Sequence, residues 1–226
     1  MRTLSQHKNY TRIIACCICL LTTLPLFAHP INIAMERLST QDAIWFYLKM
    51  GITHIVPNGF DHILFVTSLC LLSIKIRTIL WQTSAFTVAH SITLALSMKN
   101  IIAAPGAVVE PVISLSIVFV AVENILLNEL KPWRVLIVFF FGLVHGMGFA
   151  SALNEIGLPR NNFLSSIIAF NVGVEFGQIA VILLVFGLLI TPFGKKLNFK
   201  KQFVYPLSII IALIACYWTV ERMMAL

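Results

Sequence analysis

Four histidines fall inside the hydrophobic stretches of this chain, His54, His62, His90 and His145, together with the acids Asp61, Glu123 and Glu175. Imidazole is a borderline ligand and carboxylate a harder one, and mixed sets of the two suit divalent transition metals. A charged side chain at membrane depth costs about 2.5–3.5 kcal/mol on insertion scales, so each one needs a function or a counter-charge. No lysine or arginine stands in these segments as an evident partner. The set therefore reads as a path for a divalent cation rather than as structural ion pairs. Neutral imidazole is the form that binds metal, so the affinity of such a path falls on acidification.

The densest part is "HIVPNGFDH", residues 54–62. His54 lies seven residues before Asp61 and eight before His62, near two helical turns, so an unbroken helix would show all three on one face. Pro57 and Gly59 interrupt it, and broken helices at membrane depth are found where they line a cavity. The competing reading has Asp61 capping the following helix and His62 bonded to a neighbour. In "FTVAHSIT", Thr83, Thr87 and His90 form a polar stripe beside Ser91, either orienting the imidazole or bonding between helices. His145 sits among Gly142, Gly146 and Gly148, whose small size suits close helix packing. Asn171, Glu175 and Gln178 share one face in "FNVGVEFGQ", and Glu123 is followed by Asn124; both carboxylates could ligate an ion or be merely hydrogen-bonded.

The elements that must carry these groups are membrane helices. The chain of 226 residues is 59% hydrophobic and 11% charged, with a mean hydropathy of +0.93. Several windows exceed the roughly 18 apolar residues that span a bilayer. The alternation of a β-barrel is missing. The expected fold is an all-α polytopic bundle of about six transmembrane helices, the first (residues 41–74) broken near Pro57–Gly59. The others fall at about 79–98, 108–127, 133–153, 163–190 and 203–220. Residues 1–28, with Arg2, Lys8 and Arg12 ahead of an apolar run ending at Ala28, read as a signal peptide, or as an uncleaved first helix, before the membrane domain of residues 29–226. Cys16, Cys17 and Cys19 fall in that segment, and Cys70 and Cys216 in spans, so neither a disulfide framework nor a cysteine metal knuckle is offered.

The net charge of +7 is not gathered into an aromatic-flanked patch, which argues against nucleic acid. One set of loops carries eight basic residues (Lys75, Arg77, Lys131, Arg134, Lys195, Lys196, Lys200, Lys201) and the other five (Arg37, Lys49, Lys99, Arg160, Arg222). The positive-inside rule then places both mature termini outside, as a cleaved signal requires. In a bacterium that means an inner-membrane protein with periplasmic termini.

With these segments in place, the chain resembles the HupE/UreJ family of nickel and cobalt permeases, best in its divergent second branch. "HIVPNGFDHILF" is similar to the family's first-span motif and "FGLVHGMGFA" to its fourth-span motif, and "FTVAHSITL" and "FNVGVEFGQ" are similar to further segments. The resemblance implies a role in metal uptake for His54, Asp61, His62 and His145, with Ni²⁺ or Co²⁺ as the transported ion and no prosthetic group. The chain has one more residue between His54 and the Asp-His pair than the better-known members. Phe141 and Gly148 stand where those carry a second histidine and a glutamate; Glu123 or Glu175 could replace the lost carboxylate. The expected function is a divalent-metal transporter in the lipid bilayer, alone, as a homo-oligomer or with an accessory subunit. The alternatives are an intramembrane metal-dependent hydrolase, for which no HxxxH or HExxH pair is present, and a non-transporting sensor or accessory subunit.

Overall fold

The computed structural model describes residues 33–127 and 129–225. The segment read as a signal peptide, with its three cysteines, lies outside them. Every regular element among the described residues is helical, and the longer ones are α1 (Thr40–Ile55), α2 (Phe60–Leu71), α3 (Ile76–Met98), α4 (Gly106–Leu126), α5 (Arg134–Ile156), α6 (Phe163–Val185) and α7 (Tyr205–Met224). α6 continues through a π-helical turn, Phe186–Ile190, and α7 is entered through another, Lys200–Val204. Among the described residues, four helices are long and apolar enough to cross a membrane: Gly106–Leu126, Arg134–Ile156, Phe163–Phe193 and Lys200–Met224.

Local sequence explains the ends of the first two helices. Ser39 caps α1 by accepting from the Asp42 N–H at 3.1 Å, and its hydroxyl donates to the Asp42 carboxylate at 2.6 Å. Pro57 cannot donate to the helix ladder, so α1 ends at Ile55 and Val56 is its cap. The chain turns back so tightly that a Cβ on Gly59 would collide with the His54 carbonyl oxygen. α2 then starts at Phe60, putting Asp61 in its first turn, where an acid is favoured by the helix dipole. The expected break is present, as a sharp separation into two short helices.

The helices pack as three main pairs, α1 with α6, α3 with α5 and α4 with α7, and short α2 touches a member of each. Glycines let two of these pairs approach backbone to backbone. A Cβ on Gly142 would lie 2.5 Å from the Phe86 carbonyl oxygen, and one on Gly146 would strike the His90 carbonyl, so α5 lies hard against α3. Gly51 and Gly173 do the same for α1 and α6, meeting Phe170 and Leu48 carbonyls. Gly173→Val is expected to lower stability by at least about 1–3 kcal/mol through overpacking. A detergent unfolding midpoint equal to that of the wild type would contradict this packing.

The bundle has an inverted polarity. Trp81, Val88 and Ile92 of α3 are exposed, whereas Gln82, Thr83, Thr87, His90 and Thr93 of the same helix are buried. The outside of the other helices is equally apolar, with Leu136, Phe140, Phe176, Leu184 and Leu213 exposed. Hydrocarbon is the solvent that such a surface suits. Polar groups are left to the interior, where α3 and α6 turn their polar stripes toward each other.

Candidate metal centre

Four helices deliver the four histidines to one place. The last turn of α1 brings His54 and the first turn of α2 brings His62, because the break at Pro57–Gly59 folds one against the other. α3 contributes His90 and α5 His145. Ring nitrogens of His54, His62 and His90 lie within 4.8 Å of one another. Ring centroids are 4.7 Å apart for His54 and His62, 6.3 Å for His62 and His90, and 5.1 Å for His62 and His145. The Nε2 atoms of all four are buried and have no hydrogen-bond partner. One such orphan is unusual in a folded interior. Four in contact form a set of donors awaiting an acceptor.

The opposite nitrogens fix which lone pairs are available. Asn171 Nδ2 donates to the Ile167 carbonyl at 2.8 Å, which orients its amide oxygen toward His90 Nδ1 at 3.1 Å. His90 therefore carries its proton on Nδ1 and presents a bare Nε2. His145 Nδ1 donates to the Phe141 carbonyl at 3.0 Å, one turn back on α5, with the same consequence. These are the outer contacts that hold a metal-binding imidazole in the right tautomer. Phe149 lies against His54 with centroids 4.0 Å apart and stacks on Phe170 at 5.0 Å; Phe86 meets His145 at 4.8 Å. Aromatic faces thus close the site against water. Asn171→Ala is expected to weaken metal binding about 10–100-fold, as loss of an outer partner does; titration of the purified variant measures it.

The carboxylates are engaged by other partners. Arg222, from the end of α7, donates through Nη2 to both Asp61 oxygens, at 3.1 and 2.8 Å, and through Nη1 to the Glu110 carbonyl and the Ser114 hydroxyl. Arg134 is 1% exposed, and its Nε lies 3.1 Å from Glu123 Oε2. Arg134 Nη2 also donates to Asn124 Oδ1 at 3.3 Å, and Asn124 donates to the Ser68 carbonyl at 2.8 Å. The expectation that no basic residue neutralises the buried acids is corrected by these two arginines. Asp61 and Glu123, expected beside the imidazoles, are each engaged by an arginine instead of grouped with the three histidines. Glu175 accepts hydroxyl hydrogen bonds from Ser84 and Thr87, one turn of α6 beyond Asn171. It too stands apart from the cluster.

Among the supporting polar residues, Thr87 lies between Glu175 and Gln178, and Ser91 donates to the Thr87 carbonyl at 2.6 Å. The histidine stripe of α3 and the amide stripe of α6, read separately in the sequence, are thus two sides of one contact. Sequence reasoning passed over Arg134 and Arg222 because both sit at helix ends, where a basic residue reads as a loop charge. The unpaired acids inside spans were the signal that such partners existed. Cys70 and Cys216 are free.

A bundle with an apolar exterior defines a polytopic helical membrane protein, and its internal set of unengaged imidazoles is a candidate site for a cation. Residues 31–222 match the model of the family described as HupE / UreJ protein, and the chain belongs to that family. It is a family of nickel/cobalt transport-related membrane proteins, transporters and accessory proteins rather than enzymes. No curated protein and no solved structure matches the chain.

Proposed function

We propose that this protein carries a divalent transition-metal ion, Ni²⁺ or Co²⁺, across the bacterial inner membrane as its substrate, without a prosthetic group. The observation that carries the reading is the meeting of four buried imidazoles whose Nε2 atoms are all unengaged. Nitrogen donors of this kind suit first-row divalents, nickel, copper and zinc among them, and the family membership favours nickel or cobalt. A hydrated ion entering the aromatic enclosure exchanges water for imidazole. The ordering of His90 and His145 by Asn171 and Phe141 means that little rearrangement is needed to receive it.

His54, His62 and His90 act together as one station in this reading, with His145 at its edge, rather than as successive steps. Asp61 lies next to His62 in sequence but is held by Arg222, and both side chains are about a quarter exposed, 24% and 23%. They serve as the polar threshold beside the station. Arg134 and Arg222 are taken up by internal ion pairs and so leave the count of loop charges. The remaining seven against four have the same sign, which supports periplasmic termini.

Uptake of Ni²⁺, Co²⁺, Zn²⁺ and Cu²⁺ into proteoliposomes containing only this protein tests the reading. Flux of one ion, lost in His62→Ala, is expected. A folded wild type that moves none of the four would assign the chain to a sensing or accessory role instead.

A further inference from the structure

We propose that Glu175 is the centre of a second cation site, separate from the histidines, which binds a hard monovalent cation, a proton or a sodium ion, in exchange for the metal. The inference rests on the transport reading above. It supplies a driving ion for that transport beyond the membrane potential.

The donors differ in kind from those of the metal centre. Ser84 donates to Glu175 Oε1 at 2.8 Å and Thr87 to Oε2 at 2.6 Å, so each carboxylate oxygen is held by one hydroxyl. Gln178 Oε1 lies 3.1 Å from the same Thr87 hydroxyl, while its Nε2 is buried and unpartnered. Carboxylate, hydroxyl and amide oxygens are hard ligands, suited to a proton or an alkali ion and unlike imidazole. An open groove of about 410 Å³ lies alongside, with Ser84, Thr87, Ser91, Asn171 and Glu175 as its polar lining and Val88, Ile167, Ile168 and Val172 as its apolar lining. Its outer rim carries exposed Val88 and Val172.

Neither of the ion pairs among the described residues includes Glu175. On the elements packed against α6, His54, His62 and His90 belong to the metal cluster, Asp61 is engaged by Arg222, and Tyr47 donates to the Gly157 carbonyl. Lys49 and Arg77 are exposed. A carboxylate at this depth without a basic partner is costly, and a bound cation removes the cost.

The two sites share structure. Asn171 lies one turn before Glu175 on α6 and accepts from His90 Nδ1, and Thr87 lies one turn before His90 on α3. A change in the Glu175–Thr87 contact therefore acts on the helices that position a metal ligand. Coupling of this kind is reciprocal, so metal at His90 alters cation affinity at Glu175 equally.

The test uses proteoliposomes of wild type and Glu175→Gln in two arms, an imposed pH gradient without sodium and an imposed sodium gradient at equal pH. The wild type is expected to accumulate metal beyond equilibrium in one arm, which names the cation. Glu175→Gln should lose at least about tenfold of that accumulation, while metal still binds the detergent-solubilised protein with an affinity changed by no more than the coupling, about 5–150-fold. Undiminished accumulation in the variant would overturn the inference, and so would a parallel collapse of metal binding, which would make Glu175 part of the metal centre. If the wild type moves no metal, the transport reading fails and the second site is judged on metal-free protein. There, retention of radioactive sodium, or a pH-dependent carboxyl band in the infrared difference spectrum, must be present in the wild type and absent in Glu175→Gln. Absence of both from the wild type overturns the site on its own.

Discussion

His62→Ala is expected to abolish metal transport and to lower equilibrium metal affinity by more than about 100-fold, beyond the 10–100-fold typical of an outer-contact loss. His62 is the ring that faces His54, His90 and His145 together, at 4.7, 6.3 and 5.1 Å between centroids. Removing it separates the remaining donors as well as deleting one. The fold should tolerate the change, because His62 Nε2 has no hydrogen bond to lose and the substitution removes a buried unpartnered polar group. A cavity beside Phe86 is the main structural consequence. Asp61→Asn provides the contrast. Its carboxylate is committed to Arg222, so metal affinity should fall far less than in His62→Ala. Calorimetric titration of the three proteins with Ni²⁺ and Co²⁺ measures the difference. Equal losses in both variants would show that Asp61 leaves its arginine to join the metal.

Arg134→Met should be the most destabilising single replacement, by about 3–5 kcal/mol, because it leaves Glu123 charged and unpaired in the bundle. Both side chains are almost fully enclosed, at 1% and 5% exposure. The guanidinium also anchors Asn124, whose amide reaches back to the carbonyl of Ser68 on α2. The effect therefore spreads from α5 through α4 to the helix that carries His62. Adding Glu123→Gln to Arg134→Met should recover most of the loss, since a buried ion pair removed as a whole is often nearly neutral. A double-mutant cycle on detergent unfolding midpoints separates the pair from its surroundings. Full metal affinity in the double variant is also expected, because Glu123 is placed with Arg134 and not with the histidine group. A single variant as stable as the wild type would contradict the paired description.

Much of this architecture was legible in the sequence because membrane helices announce themselves by length and hydropathy. The segments expected at 79–98, 108–127 and 133–153 correspond to helices Ile76–Met98, Gly106–Leu126 and Arg134–Ile156. The break near Pro57–Gly59 follows from a missing N–H and a position without room for a Cβ, both local properties. The convergence of His54, His62, His90 and His145 was legible only as a suspicion. Residue type marks a potential ligand, but helix rotation and the pairing of α3 with α5 decide whether it faces the others. The acids were misread for a related reason. Asp61 and Arg222 are 161 residues apart, and no periodicity connects them. A buried acid with no cation nearby in sequence calls for one from a distant helix end, and both Asp61 and Glu123 found theirs there. Glu175, whose neighbours are hydroxyls, did not.

X-ray absorption at the metal edge of purified protein loaded with one equivalent of Co²⁺ tests the central claim most directly. At least three imidazole nitrogens are expected around the ion, with the characteristic multiple scattering of histidine rings, and one fewer in His90→Ala. Ligation by oxygen alone, or a spectrum unchanged by His90→Ala, would contradict it.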